Sequence, residues 1–260
     1  MRAKDTRQEI LNAVVYSYVQ NPQPIGSMQL KEAISADLSA ATIRNYFRRL
    51  VEEGFLTQLH SSGGRIPTDL ALKSYWISAL DPDGVCAIDE EAIENAARAY
   101  GLYALLAARE PNRLLEVTKS PLGRILAAFE FGETALGANA AIERLLNEFC
   151  GYDISDLIEI ARANRIDALY RALMEIELSR VRRYNAEALI AYARSFRVDF
   201  ERLYNGAIAL QMGAQLLFDS PLMIAAHKVT NSQKPALLVA FGMMNRNFLG
   251  FINHIKKEDQ

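Results

Sequence analysis

The chain has 260 residues, of which 50% are hydrophobic and 23% charged, and a formal net charge of −2. These balances exclude an intrinsically disordered chain and a uniformly basic nucleic-acid coat, while a local basic face stays open. Two cysteines, Cys86 and Cys150, are too few for a disulfide framework and suit a reducing, cytoplasmic setting.

The first fifteen residues lack the continuous apolar segment and small-residue cleavage site of a signal peptide. Residues 4–20 instead place Ile10, Leu11, Val14, Val15, Tyr18 and Val19 on one face of a helix. Asn21-Pro22-Gln23-Pro24 ends it, because proline lacks an N–H and restricts the residue before it. A second helix is predicted from near Ser27, with Leu30, Ala33 and Ile34 inward. Asp37-Leu38-Ser39 interrupts the pattern. Ser39 is then placed to cap a third helix, and Gly54 to follow its end. Phe55–His60 reads as a short strand, Ser61-Ser62-Gly63-Gly64 as a flexible turn, and residues 69–80 as a further helix. Three helices, a strand, a Gly-rich loop and a returning strand are the order of a winged helix-turn-helix.

Asp81-Pro82-Asp83-Gly84 is the predicted boundary, which divides the chain into residues 1–80, a linker at 81–84 and residues 85–260. Beyond it, residues 89–108 read as an Ala-rich amphipathic helix and 124–131 as a strand. Residues 138–150 and 154–176 read as helices, and 181–196 are open between helix and strand. Residues 203–217 read as helical and 236–242 as a buried strand. Strands separated by helices argue for a mixed α+β or α/β second domain. Gly206–Ala226 holds a single charge, Asp219, and is about long enough to span a bilayer. Asp219-Ser220-Pro221 lies inside it, so a buried helix, a turn and a short apolar segment are expected rather than a membrane span.

The third helix carries the chemistry. Ile43, Phe47, Leu50 and Val51 form its apolar face. Ser39, Ala40, Ala41 and Thr42 are small enough to let a helix N-terminus approach DNA closely. Arg44, Asn45 and Arg48 are the side chains that read base edges, Arg to guanine and Asn to adenine. In the loop, His60, Ser62 and Arg65 surround glycines whose backbone N–H groups can approach phosphate. The expected DNA-binding set is Ser39, Ala41, Thr42, Arg44, Asn45, Arg48, His60, Ser62 and Arg65. Residues 1–80 carry 9 Lys and Arg against 7 Asp and Glu, a net of +2, which leaves −4 for the remainder and puts the positive end where DNA is expected. No GxxxxGK[ST], HExxH, GxSxG or GxGxxG motif occurs, and His60, His227 and His254 lack metal-ligand spacing. No catalytic residue, metal or cofactor is expected.

The residues Ser39-Ala40-Ala41-Thr42-Ile43-Arg44-Asn45, Gly54-Phe55-Leu56, His60 through Asp69 and Tyr75, with Pro24-Ile25-Gly26-Ser27 ahead of them, closely resemble the HrcA family of heat-inducible transcription repressors. The resemblance is strong over residues 6–80. It thins toward the C-terminus, where Phe241-Gly242 and Met244–Phe248 match a family motif without its proline and tyrosine. It implies a winged-helix domain followed by a GAF-like α/β domain with a dimerisation insert, here shortened. It further implies a homodimer on an inverted-repeat operator of chaperone operons, kept active by the GroEL chaperonin. Two other readings stay open: a regulator whose second domain binds a small metabolite, and a protein-interaction module that binds no DNA.

Overall fold

A computed structural model describes residues 2–34, 38–58 and 63–257, with side chains from Thr6 onward. Helix α1 (Arg2–Gln20) buries Ile10, Leu11, Val14 and Val15, the stripe its spacing predicts. Helix α2 (Ser27–Ala33) buries Leu30; Ile34 is half-buried, but Ala33 is exposed rather than inward. Helix α3 (Ala40–Glu52) is capped by Ser39, whose hydroxyl oxygen accepts the Thr42 N–H at 3.1 Å. It ends at Gly54, whose φ of +79° is the left-handed conformation that glycine adopts without a steric penalty.

Strands β1 (Leu56–Thr57) and β2 (Ile66–Pro67) pair antiparallel, and helix α4 (Asp69–Ala79) follows. Ile25 and Arg65 exchange two backbone hydrogen bonds, each 2.8 Å long, which fasten the chain before α2 to this hairpin. Gly64 makes that approach possible, since a Cβ there would lie 2.6 Å from the carbonyl carbon of Pro24. Thr68 caps α4 and donates its hydroxyl hydrogen toward the Gly54 and Phe55 carbonyls at 2.7 and 3.1 Å. Much of the Ile66-Pro67-Thr68-Asp69 run is therefore structural: it fixes α4 against the end of α3.

After the turn at residues 81–84 come β3 (Cys86–Ile88), α5 (Glu90–Tyr100) and β4 (Tyr103–Ala108). The single helix expected over 89–108 is a helix and a strand. Gly101, at φ +63°, ends the helix, and Tyr103–Ala107 are all buried. An Ala- and Leu-rich run apolar on all sides fits a central strand as well as a helix, and glycine decides between them.

Between β4 and the strand that pairs with it lies a separate unit. A three-stranded antiparallel sheet, β5 (Leu114–Lys119), β6 (Ile125–Phe129) and β7 (Gly132–Leu136), packs on α6 (Ala140–Glu148), α7 (Ile154–Ala163) and α8 (Asp167–Ser179). Its core is its own, built from Leu114, Ile125, Phe129, Leu146, Leu157, Leu169 and Leu173. The helix expected over 154–176 is broken at Arg165, whose φ is +55°. Asn112, fully buried, closes the neck of this unit. Its backbone N–H donates to Asp153 at 2.7 Å, its amide donates to Glu177 at 3.0 Å, and its carbonyl oxygen accepts from the Phe131 N–H at 2.8 Å.

Strand β8 (Val181–Tyr184) returns to β4, and α9 (Ala186–Ser195), α10 (Phe200–Tyr204) and α11 (Ala207–Gln211) follow. Strands β9 (Gln215–Asp219), β10 (Leu222–Asn231) and β11 (Lys234–Met243) lead to α12 (Phe248–Ile255). The expected helix over 203–217 is thus two short helices and a strand. Gly206, at φ +83°, interrupts it, and residues 215–219 gain a ladder by pairing with β10. Ser232 and Gln233, both at positive φ, form the tight turn between β10 and β11.

The large sheet runs β3-β10-β11-β4-β8, with β9 also on β10. Side chains alternate across it. Ala104, Leu106, Leu238 and Ala240 face α5 and α12, whereas Tyr103, Leu105, Leu237 and Val239 face α9, α10 and α11. Both faces are covered, which explains the unbroken apolar run of β11. The first face shares one apolar cluster with the N-terminal helices, from Ile10 through Trp76 to Phe248 and Ile255. Among the described residues no helix is long and apolar enough to cross a membrane.

Candidate nucleic-acid interface

Helix α3 is strongly two-sided. Ile43, Phe47 and Leu50 are buried at i, i+4, i+7. Ala41, Arg44, Asn45 and Arg48, at i, i+3, i+4, i+7, are all exposed and form a second stripe roughly opposite the first. Among the described residues no hydrogen bond or ion pair engages the side chains of Arg44, Asn45 or Arg48. Unpaired guanidinium and amide groups on a folded, capped helix keep their full donor and acceptor capacity for a ligand.

Ser39 and Thr42 do different work. The hydroxyls lie 2.9 Å apart and the Ser39 oxygen is committed to the cap. Their contribution is to start the helix and keep its N-terminus narrow. Arg65 is half-buried. Its Nη1 donates to the Gly63 carbonyl at 3.0 Å and its guanidinium lies 6.0 Å from the centre of the Phe47 ring. It ties the loop to the buried face of α3, a support that sequence spacing does not show. His60 and Ser62 lie outside the described residues.

Arg49 also stands exposed and without a side-chain partner among the described residues. Sequence reasoning left it outside the site; its i+7 spacing from Thr42 was the available signal. Glu53, the residue after this helix, is paired with Arg7, whose Nε donates to it at 2.9 Å. Arg7 in turn stacks on Phe55 at 5.1 Å.

The body behind this head has few perturbed groups, and each has a structural cause. Burial works to raise the pKa of Glu90, but hydrogen bonds from Tyr184, Asn231 and Arg182 outweigh it and hold the carboxyl below its usual value. Burial pushes His227 below the ordinary histidine value; its Nδ1 lies 3.3 Å from the Asp81 carbonyl and its Nε2 has no partner among the described residues. A cavity of about 220 Å³ opens between α10, α11 and the β9–β10 hairpin. It is lined by Val198, Leu203, Ile208, Leu217, Leu222 and Phe241, with Arg197 at its rim.

This capped helix with its open polar stripe, set on a mixed α/β body, belongs to a chain whose relatives are transcription repressors. The family model of the HrcA C-terminal domain matches residues 76–259. The heat-inducible transcription repressor HrcA of Helicobacter pylori is 30% identical over 256 residues, which cover 97% of this chain and 95% of that protein. The chain belongs to the HrcA family of heat-inducible transcription repressors, and it is not an enzyme. The HrcA repressor of Protochlamydia amoebophila is 58% identical over 71 residues, 27% of this chain and 18% of that protein. A solved structure of a hypothetical protein shares the fold, with a TM-score of 0.51 at 18% identity over 96% of this chain and 94% of that one.

Proposed function

We propose that residues 1–80 are a winged-helix DNA-binding domain joined by residues 81–84 to a GAF-like body, residues 85–260, and that α3 is its reading helix. Arg44, Asn45 and Arg48 contact base edges in the major groove, with Ser39, Ala41 and Thr42 permitting close approach. His60, Ser62 and Arg65 place the wing on the backbone. The observation that carries this reading is the stripe Ala41, Arg44, Asn45 and Arg48, exposed and without side-chain hydrogen bonds or ion pairs among the described residues, on a helix that buries Ile43, Phe47 and Leu50 on its other face.

One such domain reads too few base pairs to select a site in a genome, so two copies bind an inverted repeat as a homodimer. The unit at residues 112–179, with its own core between β4 and β8, is the dimerisation insert in this reading. Bound at promoters of chaperone operons, the dimer blocks transcription, and the GroEL chaperonin maintains the competent fraction. Footprinting on genomic promoter fragments at stated salt tests the operator, since salt sets the affinity. Titration with excess operator, with and without chaperonin, tests the maintenance step. A competent fraction unchanged by chaperonin rejects that step.

A second reading is supported by the 220 Å³ apolar cavity: a small apolar metabolite bound there shifts DNA affinity. A ligand of the folded state raises the melting temperature by linkage, and a metabolite screen in which nothing does so rejects this reading.

A further inference from the structure

The turn at residues 81–84 has the composition of a flexible tether, yet the head is clamped to the body on several sides. The Trp76 side chain in α4 is fully buried. Its indole N–H donates to the Met244 carbonyl at 2.6 Å, and its ring meets Phe248 edge-on at 5.5 Å. Around it, Asp69 accepts a hydrogen bond from the Ser220 hydroxyl, and Lys73 lies 5.3 Å from the Phe218 ring centre. Asn247 donates to Gln20 of α1 at 3.0 Å. The tether is itself fastened: the Lys228 N–H donates to the Pro82 carbonyl at 3.1 Å, and the Lys228 ammonium pairs with Asp83 at 2.6 Å.

We propose that Trp76 is a positioning residue for DNA recognition: its anchorage on Met244 and Phe248 fixes the orientation of α3 relative to the body, and so sets the one half-site spacing that a dimer accepts. The proposal rests on the DNA-reading role of α3. A head swinging on a loose tether would tolerate many spacings, because each half-site would be reached independently. A head locked into the body's apolar core moves only with the body, so changing the spacer turns one half-site away from its helix. A spacer lengthened by about five base pairs, half a helical turn, is the most demanding case. The indole N–H matters because an aromatic ring without it fills the space but leaves the Met244 carbonyl buried and unpaired.

The test uses the full chain and Trp76→Phe. Operator affinity is measured for the native spacer and for spacers lengthened by two and five base pairs. Wild-type protein is expected to prefer the native spacer about a hundredfold, and the variant only about tenfold. Leu30→Ala removes core packing within the head, at α2, and leaves in place every head-to-body hydrogen bond and ring contact named above. It is expected to lower the competent fraction and leave the hundredfold ratio intact. A ratio as steep in Trp76→Phe as in wild type overturns the proposal. So does a ratio that Leu30→Ala flattens equally.

A second measurement needs no DNA. Spin labels at Lys31→Cys and Glu91→Cys, in a chain carrying Cys86→Ser and Cys150→Ser and diluted with unlabelled protein, report the distance from head to body. A single narrow distance that broadens in Trp76→Phe supports the anchorage, and a broad distribution in the otherwise wild-type chain overturns it. A narrow distance together with no operator binding would overturn the DNA reading and the spacing role, while the rigid anchorage stands.

Discussion

Arg44→Ala separates recognition from stability. Arg44 is exposed on α3 and its side chain makes no hydrogen bond or ion pair among the described residues, so its removal is expected to change folding stability by less than about 0.5 kcal/mol. A guanidinium that reads a guanine edge contributes about 1–3 kcal/mol of discrimination, or roughly a 5- to 150-fold loss of operator affinity. Arg65→Ala is expected to behave differently. It removes a hydrogen bond to Gly63 and the contact with Phe47, together about 1–2 kcal/mol of stability. In the proposed reading it also removes one contact to the DNA backbone, which is expected to lower the salt slope of binding by about one. Urea unfolding and fluorescence-anisotropy titrations over a salt series measure all four quantities. The reasoning fails if Arg44→Ala binds operator like wild type, or if its loss of binding is matched by a loss of stability. It also fails if Arg65→Ala leaves the unfolding midpoint unmoved.

Asn112→Ala is expected to destabilise the inserted unit by about 2–4 kcal/mol, because the Phe131 N–H and Glu177 each lose a buried partner; hydrogen exchange at the amides of β5, β6 and β7 along a urea series reads it, and a shift under about 0.5 kcal/mol would refute the neck assignment. Gly64→Ala pushes a methyl group against the backbone of Pro24 and Ile25, so melting temperature and operator affinity should fall together, by about 1–3 kcal/mol in stability. His227 is held neutral in the folded protein, so its pKa lies below that of the unfolded chain. The unfolded state therefore takes up the proton first, and stability is full above about pH 6.5 and falls as the pH drops below it. Denaturant midpoints from pH 7 to 5 should fall less steeply in His227→Gln than in wild type; identical slopes would remove His227 as the cause.

The N-terminal head was the most legible part of the chain. Its elements are short, amphipathic and bounded by local signals: Pro22 and Pro24, the Ser39 cap, Gly54 and the Thr68 cap. Each acts within a few residues, so helix limits and the exposed stripe on α3 follow from spacing alone. The position of Arg65 did not follow, because its stacking partner, Phe47, lies eighteen residues away and only the packed loop brings them together.

The body was harder to read for a physical reason. In residues 103–108 the apolar run has no period, since both faces of the sheet are covered, and an all-apolar run suits helix and strand equally; residues 215–219 carry only three apolar residues in a row, too short a run for periodicity to decide. What decided these segments were partners far along the chain: β11 and β8 for β4, and β10 for β9. The separate inserted core was hidden for the same reason, because the pairing of β4 with β8 across residues 109–180 defines it. Local spacing and motifs were enough for the helices of the head, the polar stripe on α3 and the family. Tertiary structure alone decided the sheet order, the neck at Asn112 and the clamp at Trp76, because each is a contact between residues that no local periodicity connects.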